Sequence, residues 1–335
     1  MRLHRGGIVA LALPFLLSSC YVTTQGYHLA SDLVSARSVE RYRRSDRVTA
    51  AEEEFFQRVD AIREFGADVL GLRMGRAFTT YIATDREFLV SVVSAAGELN
   101  FDRKEWWFPI VGSVPYRGYY QPPGARRMAA QLRKDGWDVF VRRVDAYSSL
   151  GFFRDPLYTY MMHYDEARLA DLILHEMTHA TLWLRNEVQF NEEFATFVGR
   201  QGARDYLVST YGAESPEVQQ LDVSREESAQ YREAIRALRH RLEHLYSRDI
   251  QDEDKRAGKA ELMAQFREHF HSPVEINNAY IDLFTTYSGN VHLFEELHHQ
   301  LGGSLATTIE EVQRRVAARP RSAAAVEIFS LDTAP

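Results

Sequence analysis

Residues 175–179 read His175-Glu176-Met177-Thr178-His179, and these types at this spacing can hold a divalent metal and activate water. Residues four apart in a helix lie one turn above each other, so both imidazoles can reach a single ion. Glu176 is turned about 100° from His175, which suits it to act on water at that ion rather than to ligate it. One turn of helix thus supplies two ligands and a general base. Leu172, Ile173, Leu174, Met177 and Ala180 keep the surroundings uncharged, as expected for a buried active-site helix. Two histidines and a glutamate buried there with no metal or partner would be costly. The chain has one cysteine, so a thiolate cluster is excluded and further ligands must be His or carboxylate.

A catalytic zinc site takes three protein ligands and leaves one position open. The metzincin extension needs Gly at 182 and His at 185, where this chain has Leu182 and Arg185. A deformylase-like site needs an upstream cysteine ligand, and the only cysteine is Cys20. Downstream, Asn191-Glu192-Glu193-Phe194-Ala195-Thr196 opens a second helix with Asn191 as its expected N-cap. Residue 184 is expected to end the first helix and residues 185–190 to turn the chain. Glu192 and Glu193, about 100° apart on that helix, both remain candidates for the third ligand.

The second element resembles the Asn-Glu-x-Phe-Ala element of gluzincin aminopeptidases, whose glutamate is the third ligand. The resemblance assigns that role to Glu192, and it leaves Thr196, one turn on, to hydrogen-bond a ligand histidine. A wider series runs in the same order as in a bacterial family of predicted zinc aminopeptidases, a gluzincin group. It comprises Trp107-Phe108-Pro109, Gly112, Tyr116-Arg117-Gly118-Tyr119, residues 151–156, the histidine helix and Phe190-Asn191-Glu192-x-Phe194-Ala195-Thr196. Asn277-Asn278-Ala279 is also similar to it. The specific part of the resemblance lies between residues 106 and 202.

That resemblance implies an α+β fold: a zincin-like core with a small mixed sheet, helical elsewhere, and a strand beside the metal helix that pairs with an extended peptide. It implies Zn²⁺ as cofactor and a peptide as substrate. Zinc would bring the pKa of bound water towards about 7, and Glu176 would take its proton and later protonate the leaving amine. Tyr287 and Tyr116 are candidates to stabilise the oxyanion, and Arg117 is a candidate to bind a substrate carboxylate or carbonyl. The chain departs from characterised gluzincin aminopeptidases in lacking a Gly-x-Met-Glu-Asn element, whose Glu helps bind the free amine. Glu54, Glu105, Asp145 or Asp165 would have to replace it. Peptide hydrolysis is therefore better supported than action at the free amine, and an aminopeptidase is the first expectation on the resemblance. An envelope endopeptidase of the same chemistry is the second, and a non-enzymatic scaffold is the third. The scaffold would have a structural zinc closed by a fourth ligand such as His163 or His292.

The elements that must position these groups follow from patterning. Residues 30–72 read as helical, with a charged face carrying Glu52, Glu53, Glu54, Arg58 and Asp60. Residues 78–82, 88–93, 106–112, 114–120 and 138–144 are β-branched and aromatic and read as strands, with a helix at 124–134 ending at Gly136. The catalytic helices are expected at 167–184 and 192–207. Tyr231, Ile235, Leu238, Leu242 and Leu245 step by four, three, four and three, an a/d seam. With Leu262 and Phe266 it predicts a long antiparallel helical hairpin over residues 215–270, whose charged face is solvated or docks a protein partner. The expected domains are a signal at 1–19, a tether at 20–29, a catalytic part at 30–210, a helical part at 211–318 and a loose tail at 319–335.

Arg2 and Arg5, an apolar run to Leu17 and Ser18-Ser19-Cys20 have the form of an export signal. Leu17-Ser18-Ser19-Cys20 resembles the bacterial lipobox, which implies cleavage before Cys20 and lipid on its sulfur. Tyr21, rather than Asp, after the cysteine points to the outer membrane over the inner, facing the periplasm. Loss of the signal takes Arg2 and Arg5 with it and moves the net charge from −7 to −9. That balance excludes a nucleic-acid binder, which needs clustered cations against phosphate.

Overall fold

The computed structural model describes residues 31–32, 34–108, 112–144, 155–271, 274–286, 291–320 and 324–330. Cys20, Asp145, Tyr287, the signal, the tether and part of the tail lie outside them. In chain order come β1 (Arg37–Ser38), α1 (Val39–Arg43), α2 (Ala50–Asp68), β2 (Thr80–Ile82), β3 (Val90–Gly97) and β4 (Trp106–Phe108). There follow β5 (Gly112–Val114), β6 (Arg117–Tyr119), α3 (Pro122–Lys134), β7 (Trp137–Val144) and β8 (Leu157–Tyr158). Next are α4 (Glu166–Thr181), α5 (Val188–Tyr211), α6 (Pro216–Ser247) and α7 (Asp252–Phe270). The series ends with α8 (Asn278–Thr286), α9 (Val291–Gln300) and α10 (Leu305–Ala318). The protein is thus mixed α and β, but its described strands form three small sheets, ordered β1-β2-β8, β6-β3-β7 and β4-β5, where one was expected.

Two compact units divide the chain, one from residues 1–36, 88–145 and 231–285, the other from 37–87, 146–230 and 286–335. In the first, β3 pairs antiparallel with β6 on one side and with all eight residues of β7 on the other. Val93, Ala95, Tyr119 and Val139 of this sheet bury against Ala125, Ala129 and Leu132 of α3. Pro122 starts α3, where a missing N–H costs nothing, and Gly136 at φ +83° turns the chain out of it. The seam residues Ile235, Leu238 and Leu242 bury against Met263 and Phe266 of α7 and Tyr280 and Ile281 of α8.

The Asn277-Asn278-Ala279 element has a structural role in this unit. The Asn278 side-chain amide donates to the carbonyls of Gly97, Glu98 and Asn100, and its backbone N–H donates to Asp138 at 2.7 Å. Lys259 pairs with the same Asp138 carboxylate at 2.7 Å. Asn277 donates to the Val139 carbonyl. The Asn278 bonds satisfy carbonyls at and just beyond the end of β3.

In the second unit the helical stretch expected over 30–72 is broken into β1, α1 and α2. The cause is local: Thr49 and Glu52 form a reciprocal capping box that starts α2 afresh. Glu52, expected on the charged face, is instead buried, because it also accepts from the Tyr81 hydroxyl at 2.9 Å and the Tyr42 hydroxyl at 3.1 Å. Burial alone would raise its carboxyl, but the bonds from Thr49 and from Tyr81 and Tyr42 outweigh that and hold it below its ordinary value. Phe56, Ile62, Leu169, Ile173, Leu174 and Phe194 are buried around α2, α4 and α5, and Phe294 of α9 packs on Phe190, Phe194 and Phe197.

Candidate metal centre

Helix α4 carries the His-Glu-x-x-His residues, and both of its ends are fastened. Asp165 caps the N-terminus by accepting from the Arg168 N–H at 2.7 Å. Arg58 of α2 donates to Glu166 at 2.6 Å and to the Tyr164 carbonyl at 2.9 Å, and Tyr206 of α5 donates to Glu166 at 3.2 Å. At the other end Thr181 closes the helix, three residues earlier than expected, and its hydroxyl accepts the Arg73 N–H at 2.8 Å. The hydroxyl of fully buried Thr178 bonds the Leu174 carbonyl, so the apolar face carries no open donor there.

The close approach of α5 to α4 depends on glycine. A Cβ on Gly199 would stand 2.5 Å from Asp171 Oδ1, 2.8 Å from the Asp171 carbonyl oxygen and 3.2 Å from His175 Cβ. Gly202 meets Leu174 in the same way. Gly199 lies seven residues, close to two turns, after Glu192, on the same face of α5.

That approach brings three ligand groups together. The Nε2 atoms of His175 and His179 are 3.1 Å apart, and Glu192 oxygens lie 3.6 Å from the first and 3.5 Å from the second. All three ligand atoms fall within 4.8 Å of one another. Donors about 2.1 Å from one tetrahedral ion stand about 3.3–3.4 Å apart, and the distances from the two imidazoles, each to a different Glu192 oxygen, are close to that spacing. Burial and the neighbouring His175 push the His179 imidazole down to about 4, which keeps it neutral and able to ligate. Burial would lower His175 too, but Glu192, Glu176 and Asp171 outweigh it and raise the ring above its ordinary value. Burial would raise the Glu192 carboxyl, and the two histidines instead hold it low. Nδ1 of His179 is buried without a described hydrogen-bond partner, while its Nε2 is the atom turned to the other donors.

Other expectations sort by location. Glu176 is buried beside the ligands, at 7% exposure. Glu193 is not part of that group and accepts from Gln189 of its own helix at 2.8 Å. Asn191 is not an N-cap. The helix begins at Val188, and Asn191 is buried within it, its amide accepting the Leu184 N–H and donating to the Leu184 carbonyl. Glu192 therefore sits in the second turn, not the first. Thr196 makes no described hydrogen bond to either histidine, so its expected supporting role is not seen. Neither His163 nor His292 joins the group, which among the described residues holds three ligands.

Tyr116 and Arg117 belong to the other compact unit, Arg117 with its guanidinium 5.8 Å from the Tyr119 ring centroid. Glu105 is exposed and belongs to that unit as well, Glu54 is exposed on α2, and Asp165 is the α4 cap. Sequence reasoning passed over Asp171, Gly199 and Trp183. Asp171 and Trp183 had one available signal, the four-residue step that places them before His175 and after His179.

Among the described residues no helix is long and apolar enough to cross a membrane. Neither the curated proteins nor the solved structures contain a match to the chain. The family model described as "Putative aminopeptidase" matches residues 20–325, which include both helices of the candidate metal centre. The chain belongs to that family.

Proposed function

We propose that the protein is a zinc-dependent metallopeptidase of the aminopeptidase type, held at the bacterial cell envelope through lipid on Cys20. The observation that carries the reading is the three-donor group of His175, His179 and Glu192 with buried Glu176 next to it in the chain. Three ligands suit an open catalytic position better than a structural site, which closes with four.

His175, His179 and Glu192 would hold the ion, which when bound supplies a Lewis acid for the peptide carbonyl and for water. Glu176 takes the proton from the attacking water on its carboxylate and passes it to the nitrogen of the departing amine. The neutral state of His179, imposed by burial, spares the site a proton that would compete with the metal. A zincin-type core, with a peptide aligned along a strand near α4, completes the reading. The short strand β8, an outer strand of its described sheet, is followed in the chain by a 3-10 turn at Thr159–His163 and then by α4.

The test is metal content followed by hydrolysis. Protein reconstituted with zinc should carry about one ion per chain. The Glu176→Gln variant should keep the ion and lose activity by about 10²–10⁴-fold, the usual worth of a general base. Peptides with a free amine should be cleaved and their acetylated counterparts should not; equal cleavage would identify an endopeptidase. A preparation that takes up no zinc ends the reading.

A further inference from the structure

His179 has a neighbour that the hydrolytic chemistry does not use. The Trp183 ring stands 5.4 Å from the His179 ring, centroid to centroid, at 73° between planes. His179 itself is sealed, with its side chain 1% exposed, whereas Trp183 is only half-buried. The indole packs edge-on against the His179 ring and keeps part of its own surface open to solvent. Its N–H has no hydrogen-bond partner among the described residues and is not buried.

The position of this ring is fixed by the backbone on both sides. At Leu182 the chain leaves α4 and becomes extended, at φ −137° and ψ 119°. One residue after the tryptophan, the Asn191 amide holds both the N–H and the carbonyl of Leu184, at 2.9 and 2.8 Å. Asn191 directly precedes Glu192, so the same residue that carries the third ligand into place also sets the indole beside it. Leu182 and Leu184 flank the tryptophan and Phe190 is buried nearby in sequence, so no charge from residues 180–184 faces this side. The charges that act on His175 come from Glu192, Glu176 and Asp171, and Arg185, the first charged residue after Trp183, is exposed. A rigid, partly open aromatic ring beside the reacting centre favours an apolar or aromatic group, which gains by leaving water and by ring contact.

We infer that Trp183 is a specificity-determining residue, its indole forming the wall of the subsite that receives the side chain flanking the scissile bond. The preferred substrates are then short peptides with a large apolar or aromatic residue at that position. This rests on the peptidase reading above and adds the substrate class to it.

The experiment uses the zinc-loaded full chain and two matched series of free-amine dipeptides, X-Ala and Ala-X, with X as Phe, Leu, Ala or Asp. In one series kcat/KM for Phe should exceed that for Ala at least tenfold. Trp183→Ala should bring that ratio to within about twofold while zinc content stays at one, and Trp183→Phe should keep the preference. A wall that only shields His179 would instead lower zinc affinity in both variants and leave the ratio unchanged, which overturns the inference. A second readout does not depend on turnover. The emission of wild type minus Trp183→Phe should shift on adding Phe-Ala or Ala-Phe and stay fixed on adding the Asp dipeptides. A shift without any hydrolysis leaves an apolar binding site at Trp183 but removes the peptidase reading and, with it, the subsite's place beside a scissile bond. Hydrolysis with no shift and no change of ratio removes the subsite alone.

Discussion

At the scale of single residues, the choice between Glu192 and Glu193 shows how adjacent identical side chains acquire different roles. They share a helix and a chemistry, but 100° of rotation turns one to the histidines and the other to Gln189. Replacing Glu192 by Ala should lower zinc affinity by more than about a hundredfold, beyond the loss usual for a supporting residue. Glu193→Ala should leave affinity within about twofold and cost only its hydrogen bonding, about 1 kcal/mol of stability. Competition with a chromogenic chelator measures both. The His-Glu-x-x-His residues were legible because their spacing is a property of any helix. Asn191 was misread because its type suits a cap, whereas its actual partners are backbone groups seven residues earlier.

At the scale of elements, the site depends on how closely two helices pack. Gly199 allows α5 to approach the Asp171 backbone, and a carbonyl oxygen cannot rotate out of the way as a side chain can. Gly199→Ala should therefore push the helices apart, cost about 1–3 kcal/mol of stability and lower zinc affinity at least tenfold. Thermal unfolding and metal titration of the same variant would show both effects; a lowered melting point with unchanged affinity would refute the coupling. The start of α2 gives an acid-sensitive element. Glu52 is held below the ordinary glutamate value, so its contribution is complete above that value, near 4.3, and is lost as pH falls through the depressed one. Unfolding followed from pH 7 to pH 3 should show an acid-side loss of stability that is smaller in Glu52→Gln. The Thr49-x-x-Glu52 pattern was present in the sequence, but the burial of Glu52 required Tyr42 and Tyr81 from other elements.

At the scale of the whole molecule, the family match covers residues 20–325, and its first residue is Cys20. If that cysteine carries the lipid, Cys20→Ala should move the protein from the membrane to the soluble fraction of the envelope, with its zinc content unchanged. Fractionation followed by metal analysis checks both parts. The described residues divide into two units, each assembled from segments far apart in the chain, and that could not be read from patterning. Apolar periodicity reports which face of a helix or strand is buried, but not which distant segment buries it. The sequence by itself determined what depends on short range: the helix that presents His175 and His179, the hairpin seam at Ile235, Leu238 and Leu242, and the turn at Gly136. Tertiary structure alone decided the rest. It turned Glu192 rather than Glu193 to the histidines, made Asn278 a clasp on β3 and brought Trp183 against His179, because each depends on the distance between groups that the chain order does not specify.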